Sequence, residues 1–237
     1  MNKKENNKNS TSYAKLYSKY KIEGTQYLPF RDLPLILNKY VKGTKVLDYG
    51  SGSGESSIFL KSLGFDVIGV DINDEMVSIS QDRDPLGKYI KIETGKLPFN
   101  NEVFDLVLCS FVLLEIANKI EILSIVKEIN RVLKKGAIFI SIAASDITYK
   151  HNWLTLNTDF PENNNITSGS KVKIEFKDIN LTINDYYWTE NDYKEIFVDA
   201  GYQIDEVHNP LGTSKDQYEW IDEKKFSPSS IIVCKKL

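Results

Sequence analysis

Hydrophobic positions along the chain form short continuous runs that alternate with stretches of helical spacing. Continuous apolar runs are typical of strands that are buried on both faces. Strands are predicted at 45–49, 65–70, 89–93, 104–110 and 137–143, of which 104–110 is apolar at nearly every position and 137–143 is also apolar. Apolar spacings of three and four predict helices over 55–63, from Asn73 as N-cap, and over 118–135 with Gly136 as its C-cap. Strands that alternate with helices indicate an α/β fold with a parallel sheet.

The segment before the first strand has a different pattern. Residues 1–12 are rich in Asn, Lys and Ser, and they predict a flexible tail. Residues 13–42 predict an N-terminal helical cap, in which Tyr13, Tyr17 and Tyr20 share one face of a helix.

The segment after the fifth strand also departs from the strand–helix alternation. Residues 144–188 predict an insertion over one end of the sheet, with a hairpin formed by 171–176 and 179–187. The remaining predicted elements are a helix over 189–200 and strands over 202–207 and 231–235. No repeat and no convincing linker is evident, so we expect a single domain over 13–237.

Composition narrows the classes of protein to consider. Hydrophobic residues make up 41% of the 237 residues, which is enough for a sizeable core. Charged residues make up 27%, which is near the average for globular proteins. Two cysteines and two histidines exclude a disulfide scaffold and leave little for a metal site. The net charge of −3 argues against a nucleic-acid partner, and no apolar run is long enough for a membrane span. We expect a soluble cytoplasmic protein.

A glycine-rich turn follows the first strand, with the sequence Gly-Ser-Gly-Ser-Gly over 50–54. Such a turn before a helix allows close ligand approach and offers free N–H groups. The dinucleotide fingerprint needs a third glycine where this chain has Glu55, and no GK[ST] sequence follows. The sequence therefore disfavours NAD, FAD and a P-loop nucleotide.

Two acids flank the turn. Asp71 ends the second strand, where a carboxylate can accept hydrogen bonds from a ribose diol. Asp48 precedes the turn, and its charge suits a cationic ligand better than a phosphate. Asp48 could equally order the loop through backbone N–H groups, and the two roles are compatible.

Motifs in these segments resemble, in their family order, those of class I S-adenosylmethionine-dependent methyltransferases, in particular the small-molecule group similar to ubiquinone-biosynthesis methyltransferases. The resemblance covers residues 40–145 and, more weakly, 185–237. Its motifs lie at 46–54, 67–72, 93–99, 104–113 and 129–136. It implies a Rossmann-like, doubly wound, mostly parallel sheet of seven strands with helices on both faces and an antiparallel final strand.

The resemblance also implies the cofactor and the residues that bind it. The methyl donor would be S-adenosylmethionine, the product S-adenosylhomocysteine, and no metal is expected. Asp71 would hold the ribose, and Glu93 would hold the adenine in place of the commoner Asp. Arg31, at the start of a helix ahead of the first strand, could pair with the methionine carboxylate or could be an ordinary solvated arginine. Leu114-Glu115 stands where many relatives carry histidines. The predicted cofactor residues are Tyr20, Arg31, Asp48, Gly50, Ser51, Gly52, Asp71, Ile72, Met76, Glu93, Thr94, Gly95, Cys109, Ser110 and Phe111.

The sequence gives less information about the residues that would contact the methyl acceptor. His151 follows the fifth strand and is the candidate general base, because imidazole groups commonly accept and release protons in catalysis. An ordinary loop histidine is the alternative. The predicted acceptor pocket comprises Tyr13, Tyr17, Trp153, Tyr187 and His208. Aromatic rings there could stabilise a sulfonium or an amine, or could simply pack a lid against the sheet.

The resemblance implies methyl transfer to an O or N atom of a small-molecule acceptor by in-line displacement. Two alternatives stay open at this point. One is an RNA or protein methyltransferase, and the other is a non-catalytic protein that binds S-adenosylmethionine on the same fold.

Overall fold

The computed structural model describes residues 11–237, and it contains six α-helices and ten strands within that range. The helices are α1 (Thr11–Tyr17), α2 (Tyr27–Tyr40), α3 (Glu55–Ser62), α4 (Asp74–Arg83), α5 (Lys119–Val132) and α6 (Glu190–Asp199). The strands are β1 (Lys45–Tyr49), β2 (Asp66–Asp71), β3 (Lys88–Lys91), β4 (Phe104–Ser110), β5 (Leu133–Ala144), β6 (Leu156–Asn157), β7 (Lys171–Phe176), β8 (Leu181–Tyr186), β9 (Tyr202–His208) and β10 (Ser229–Lys236).

Seven strands form the main sheet in the order β3-β2-β1-β4-β5-β10-β9. Neighbours from β3 to β5 run parallel, whereas β10 is antiparallel to both β5 and β9. The predicted Rossmann-like sheet with an antiparallel final strand is confirmed. The chain winds outward from β1 to β3 and then returns to the other side of β1. Ligands of such sheets bind at this reversal, at the carboxyl ends of the strands.

The two faces of the sheet pack against different helices. Along β4, Leu106 belongs to a core with α2 and α3, whereas Val107 belongs to a core with α5 and α6. Leu33 and Leu60 cover the first face, and Ile129 covers the second; all three are fully buried. Because successive side chains of a strand point to opposite faces, a strand between two helical layers is apolar throughout.

The predicted end of α5 is wrong. The helix stops at Val132 and β5 begins at Leu133, so Gly136 lies inside the strand at φ +74°. Leu133 pairs with Phe104, and the register between β4 and β5 shifts immediately after this pair. Pairing with β4 therefore overrides the helical spacing that continues through Lys135 in the sequence.

At the N-terminus, residues 1–10 of the predicted tail lie outside the described residues, and α1 begins at Thr11. Tyr20 lies beyond the end of α1, so the three tyrosines do not share one helix as predicted. Their rings still form a row, with centroids 5.6 Å apart for Tyr13 and Tyr17 and 5.7 Å apart for Tyr17 and Tyr20. Tyr20 also packs edge-on against Phe176 of the insertion at 5.0 Å.

The predicted hairpin of the insertion is formed by β7 and β8, and β6 extends it to a small antiparallel sheet. Because α1 packs on this sheet, the N-terminal segment and the insertion form one layer. No helix within 11–237 has the length and apolar character needed to cross a membrane.

Candidate functional site

The glycine turn lies at the carboxyl end of β1, and its backbone is held by the neighbouring strand. The amides of Gly50 and Ser51 both donate to the carbonyl of Val70, at 2.8 and 3.0 Å. Gly52 has φ +50°, and a Cβ placed there would meet only Tyr17, at 4.0 Å. One side of the turn is therefore open, as a ligand-binding turn requires.

Asp71 is tied to this turn. Its Oδ2 accepts a hydrogen bond from the Gly52 amide at 2.9 Å, and its Oδ1 accepts one from the Asn73 amide at 2.8 Å. Desolvation raises the pKa of the Asp71 carboxyl above its usual range, although both backbone hydrogen bonds oppose that shift. Each carboxylate oxygen can accept a further bond, so the group keeps acceptor capacity for a ribose diol.

Asp48 lies behind the turn and is fully buried. Its Oδ2 accepts hydrogen bonds from the hydroxyls of Ser56 and Ser57 at 2.7 and 2.6 Å, which fixes the first turn of α3. Asp48 thus orders the loop through these hydroxyls, not through the backbone N–H groups considered from the sequence. Burial raises its pKa to about 6, and the two hydroxyls limit this rise.

A cavity opens at the carboxyl edge beside the glycine turn and Asp71. Together with its open mouth it encloses about 840 Å³ of space. Below we refer to it as the first cavity. Eight predicted cofactor residues line it, namely Gly50, Gly52, Asp71, Ile72, Met76, Thr94, Ser110 and Phe111.

Several residues that line the first cavity were missed from the sequence. Tyr49 ends β1, and its hydroxyl accepts a hydrogen bond from the Gly95 amide at 3.3 Å. Asn73 was interpreted only as the N-cap of α4, although it directly follows the Asp71 motif. Val112 lies in the fourth-strand motif and Glu115 was noted only as a departure from the family pattern, and neither was predicted to line the site. The remaining missed residues are Ile92, Ile116 and Ile125.

Four predicted cofactor residues near the turn do not line the first cavity. Cys109 is buried in the core on β4, and the Ser51 hydroxyl is buried beneath the turn. The Glu93 side chain is 75% exposed and forms a 2.5 Å ion pair with Lys96. Gly95 supplies its amide to Tyr49, as described above. The predicted adenine contact by the Glu93 carboxylate therefore lacks the geometry that the sequence suggested.

Arg31 and His208 lie in an ion-pair cluster that does not line the first cavity. The Arg31 guanidinium donates to both oxygens of Asp216, at 2.9 and 3.1 Å, and to Asp32 at 2.7 Å. The Nε2 atom of His208 lies 2.7 Å from Oδ2 of Asp32. The structure thus corrects both predictions, because carboxylates of α2 and of the segment after β9 already satisfy these side chains.

Three predicted acceptor-side residues are also held elsewhere. The ring of His151 stacks on Phe226 at 3.7 Å, beside an open hollow on the insertion. Trp153 is fully buried and donates from Nε1 to the Thr148 carbonyl at 2.7 Å. The Tyr187 hydroxyl donates to the Asp146 carbonyl at 3.3 Å. The structure does not bring His151, Trp153 or Tyr187 to the first cavity.

A second cavity adjoins the first one. Three residues line both, namely Tyr17, Phe111 and Glu115, so the two spaces meet at these side chains. The rest of the wall comes mainly from the N-terminal segment, including Tyr20, and from the insertion, including Tyr149 and Asp185. The sequence predicted an acceptor role for Tyr13 and Tyr17; Tyr13 lines the first cavity and Tyr17 lines both.

Phe111 has φ +58°, a conformation that non-glycine residues rarely adopt. Its amide donates to the Ile142 carbonyl at 2.7 Å, which holds the strained backbone in place. The ring is thereby fixed at the junction of the two cavities.

Within the described part of the chain, no group of three or more His, Cys, Asp or Glu side chains is arranged to hold a metal ion. The chemistry available at the junction comes from carboxylates, phenols and aromatic faces.

Comparisons with known proteins agree with this architecture. Residues 47–141 match the family model described as a methyltransferase domain. A methyltransferase of Synechocystis is 34% identical over 125 residues, covering 53% of this chain and 57% of that protein. A demethylmenaquinone methyltransferase of Staphylococcus aureus is 34% identical over 113 residues, covering 45% of this chain and 46% of that enzyme. The chain thus spans about half the length of these curated relatives.

The fold is shared with a solved S-adenosylmethionine-dependent methyltransferase from Methanosarcina mazei. The TM-score is 0.64 at 22% identity, covering 85% of this chain and 97% of the other. The matched domain model runs from β1 to β5 and includes the glycine turn, Asp71 and Phe111. The strands that build the first cavity thus lie in a segment similar to a methyltransferase domain, and the chain shares the fold of a solved S-adenosylmethionine-dependent methyltransferase.

Proposed function

We propose that this protein transfers a methyl group from S-adenosylmethionine to an O or N atom of a small-molecule acceptor. The observation that carries the proposal is the junction of two cavities at Tyr17, Phe111 and Glu115. The first cavity would hold the methyl donor, and the second would hold the acceptor. Such an arrangement aligns donor and acceptor, which is the main requirement of an in-line displacement.

The residues of the first cavity fit the proposed donor. Asp71 offers carboxylate oxygens to the ribose hydroxyls, and the open side of Gly52 allows close approach to the turn. S-adenosylmethionine supplies an electrophilic methyl group on a positively charged sulfur. The carboxylates of Asp71 and Glu115 line the same cavity, and the aromatic ring of Tyr17 borders it, so the surroundings favour a cation.

The second cavity supports a small acceptor over a macromolecule. Its wall is largely aromatic and aliphatic, formed by the insertion and the N-terminal segment. No Lys or Arg is among the described residues that line it, whereas an RNA substrate would favour basic side chains. The similarity to a demethylmenaquinone methyltransferase also favours a small molecule as the substrate.

Isothermal titration of the full chain with S-adenosylhomocysteine tests the donor site. We expect saturable binding, and we expect Asp71→Asn to weaken it by about 1–3 kcal/mol because one backbone donor and one ribose hydroxyl lose a charged acceptor. Asp66→Asn, at the exposed start of the same strand, is the matched control and should bind as the natural sequence does. Absence of binding would contradict the proposal.

Incubation with a labelled methyl donor and a metabolite extract then separates an enzyme from a non-catalytic binding protein. Label in a small product supports the proposed activity. Binding of S-adenosylhomocysteine with label confined to added protein or RNA, or with no labelled product, would contradict the small-molecule assignment.

A further inference from the structure

Asp185 interrupts an otherwise regular strand pattern. Residues of β8 alternate between buried and half-buried, and the buried positions are Leu181, Ile183 and Asp185. An acid thus occupies a place where the alternation predicts an apolar side chain. Asp185 is only 3% exposed, and it lines the second cavity. Its position on the cavity wall brings a negative charge to the surface that a ligand would contact.

The charged residues described in the wall of the second cavity are all acidic. Asp185 and Glu115 line it, and among the described residues of its wall there is no Lys, Arg or His. A carboxylate or phosphate group on a ligand would therefore be repelled, and a cationic group would be attracted.

Aromatic rings line the same cavity as these two acids. Tyr17, Tyr20, Phe111, Tyr149 and Phe176 all line the second cavity. Aromatic faces attract ammonium groups, and the effect is larger where water is excluded. The same rings offer a surface for an apolar or aromatic ligand body.

The hydroxyl of Tyr20 adds an independent observation. It is buried and has no hydrogen-bond partner among the described residues, while its ring is held against Phe176 at 5.0 Å. A buried hydroxyl without a partner is uncommon in native structures and points to a ligand group that would satisfy it. An N–H group of a ligand would donate to its oxygen.

From these observations we infer that the acceptor is a primary or secondary amine with an apolar or aromatic body, held as an ammonium ion in the second cavity by Asp185. This inference rests on the proposed function and specifies its substrate class. Glu115 is the residue that would accept the proton, since it lies at the junction and is exposed to solvent, which gives the proton a way out.

The positions of Asp185 and Glu115 define the order of proton transfer and methyl transfer. The ammonium group first loses one proton to the Glu115 carboxylate, and the nitrogen regains its lone pair. The nitrogen then attacks the methyl carbon; the N–C bond forms as the C–S bond breaks. The bonding pair stays on sulfur, which becomes a neutral thioether, and the methylated amine keeps the positive charge. Glu115 releases its proton to solvent.

Titration of the full chain, saturated with S-adenosylhomocysteine, tests the amine preference without any substitution. The probes are benzylamine, 2-phenylethylamine and tryptamine, each with the alcohol and the carboxylate of the same body. We expect at least one amine to bind tenfold or more tightly than its alcohol and carboxylate counterparts. If no amine binds, or if an alcohol or carboxylate binds as tightly, the inference is wrong.

Two variants assign the roles of the acids. Asp185→Asn should remove the tenfold preference for the amine while the affinity for S-adenosylhomocysteine is retained. Asp178→Asn, an exposed acid in the turn of the same hairpin, should change neither. Glu115→Gln should slow methyl transfer to the bound amine by on the order of a hundredfold at neutral pH, with recovery as the pH approaches the pKa of the amine.

These experiments distinguish a failure of methyl-donor binding from a failure of the amine preference. Loss of S-adenosylhomocysteine binding by the natural sequence contradicts the proposed function itself. Retained binding of that nucleoside without an amine preference contradicts only the substrate class.

Discussion

The backbone amide of Gly52 donates a 2.9 Å hydrogen bond to Oδ2 of Asp71. This bond joins the turn after β1 to the end of β2, so the two motifs that face the first cavity are fixed relative to each other by the protein itself. Because this hydrogen bond is internal to the protein, it preorganises the two motifs relative to each other for binding.

Gly52→Ala is expected to weaken S-adenosylhomocysteine binding more than tenfold. The added Cβ occupies the open side of the turn, and the residue must keep φ +50°, a strain of about 1–2 kcal/mol. Gly64→Ala provides the control, since Gly64 has φ +91° and a Cβ there meets nothing within 4 Å. Both variants should lose similar thermal stability, but only Gly52→Ala should lose affinity; equal affinities would contradict the position of the ligand.

Asp48 is expected to make stability fall as the pH rises from about 4 to 6. Its pKa is about 6 in the folded protein and has the ordinary value of 3.8 when unfolded, so the unfolded chain releases its proton first. The folded state binds more protons in this window, and the free energy of unfolding decreases with pH. Relative to the natural sequence, Asp48→Asn should gain on the order of 2–3 kcal/mol between pH 4 and pH 7.

Denaturant titration of both proteins at several pH values measures this difference. Asp71, whose pKa is shifted in the same direction, is present in both proteins and largely cancels. A difference in unfolding free energy that stays constant with pH would show that Asp48 does not titrate in this window.

Arg31→Met is expected to destabilise the fold by about 1–3 kcal/mol and to leave nucleoside affinity unchanged. The substitution keeps an apolar side chain but removes the hydrogen bonds to Asp32, Asp216 and the Leu211 carbonyl. The Asp216 side chain, which is 6% exposed, would lose its charged partner. Thermal denaturation measures the first effect and titration the second; a tenfold loss of affinity would place Arg31 back at the cofactor.

Trp153→Phe is expected to lower the free energy of unfolding by about 1–3 kcal/mol, because it leaves the Thr148 carbonyl without its donor and opens a void in the insertion. His151→Asn, two residues earlier on a more exposed side chain, should cost less than Trp153→Phe. Chemical denaturation compares the two variants. Equal and small effects would contradict a structural role for the Trp153 side chain.

Local features of this chain could be predicted from neighbouring residues alone. Asn73 accepts hydrogen bonds from two amides of α4 as its N-cap, and Thr189 forms a capping box with Asp192 at the start of α6. Asp71 ends β2 beside the glycine turn, as the strand–turn–helix pattern predicted. Caps, turns and strand ends depend on side chains a few positions apart, so the sequence carries this information directly.

Local spacing along the chain was insufficient to predict strand register and strand pairing. The helical pattern of 118–135 continues past Val132, but hydrogen bonding with β4 takes Leu133 into β5. A periodicity argument cannot include a partner strand that is distant along the chain.

By itself, the sequence determined the α/β sheet, the glycine turn and the acid that faces it, because apolar periodicity and turn chemistry are local properties. Only the tertiary structure decided that Arg31 pairs with Asp216, and that Trp153 is buried in the insertion. It alone placed Glu115 where two cavities meet and Asp185 on the wall of one of them. These positions depend on which distant segments pack together, and long-range packing assigns partners that spacing along the chain does not encode.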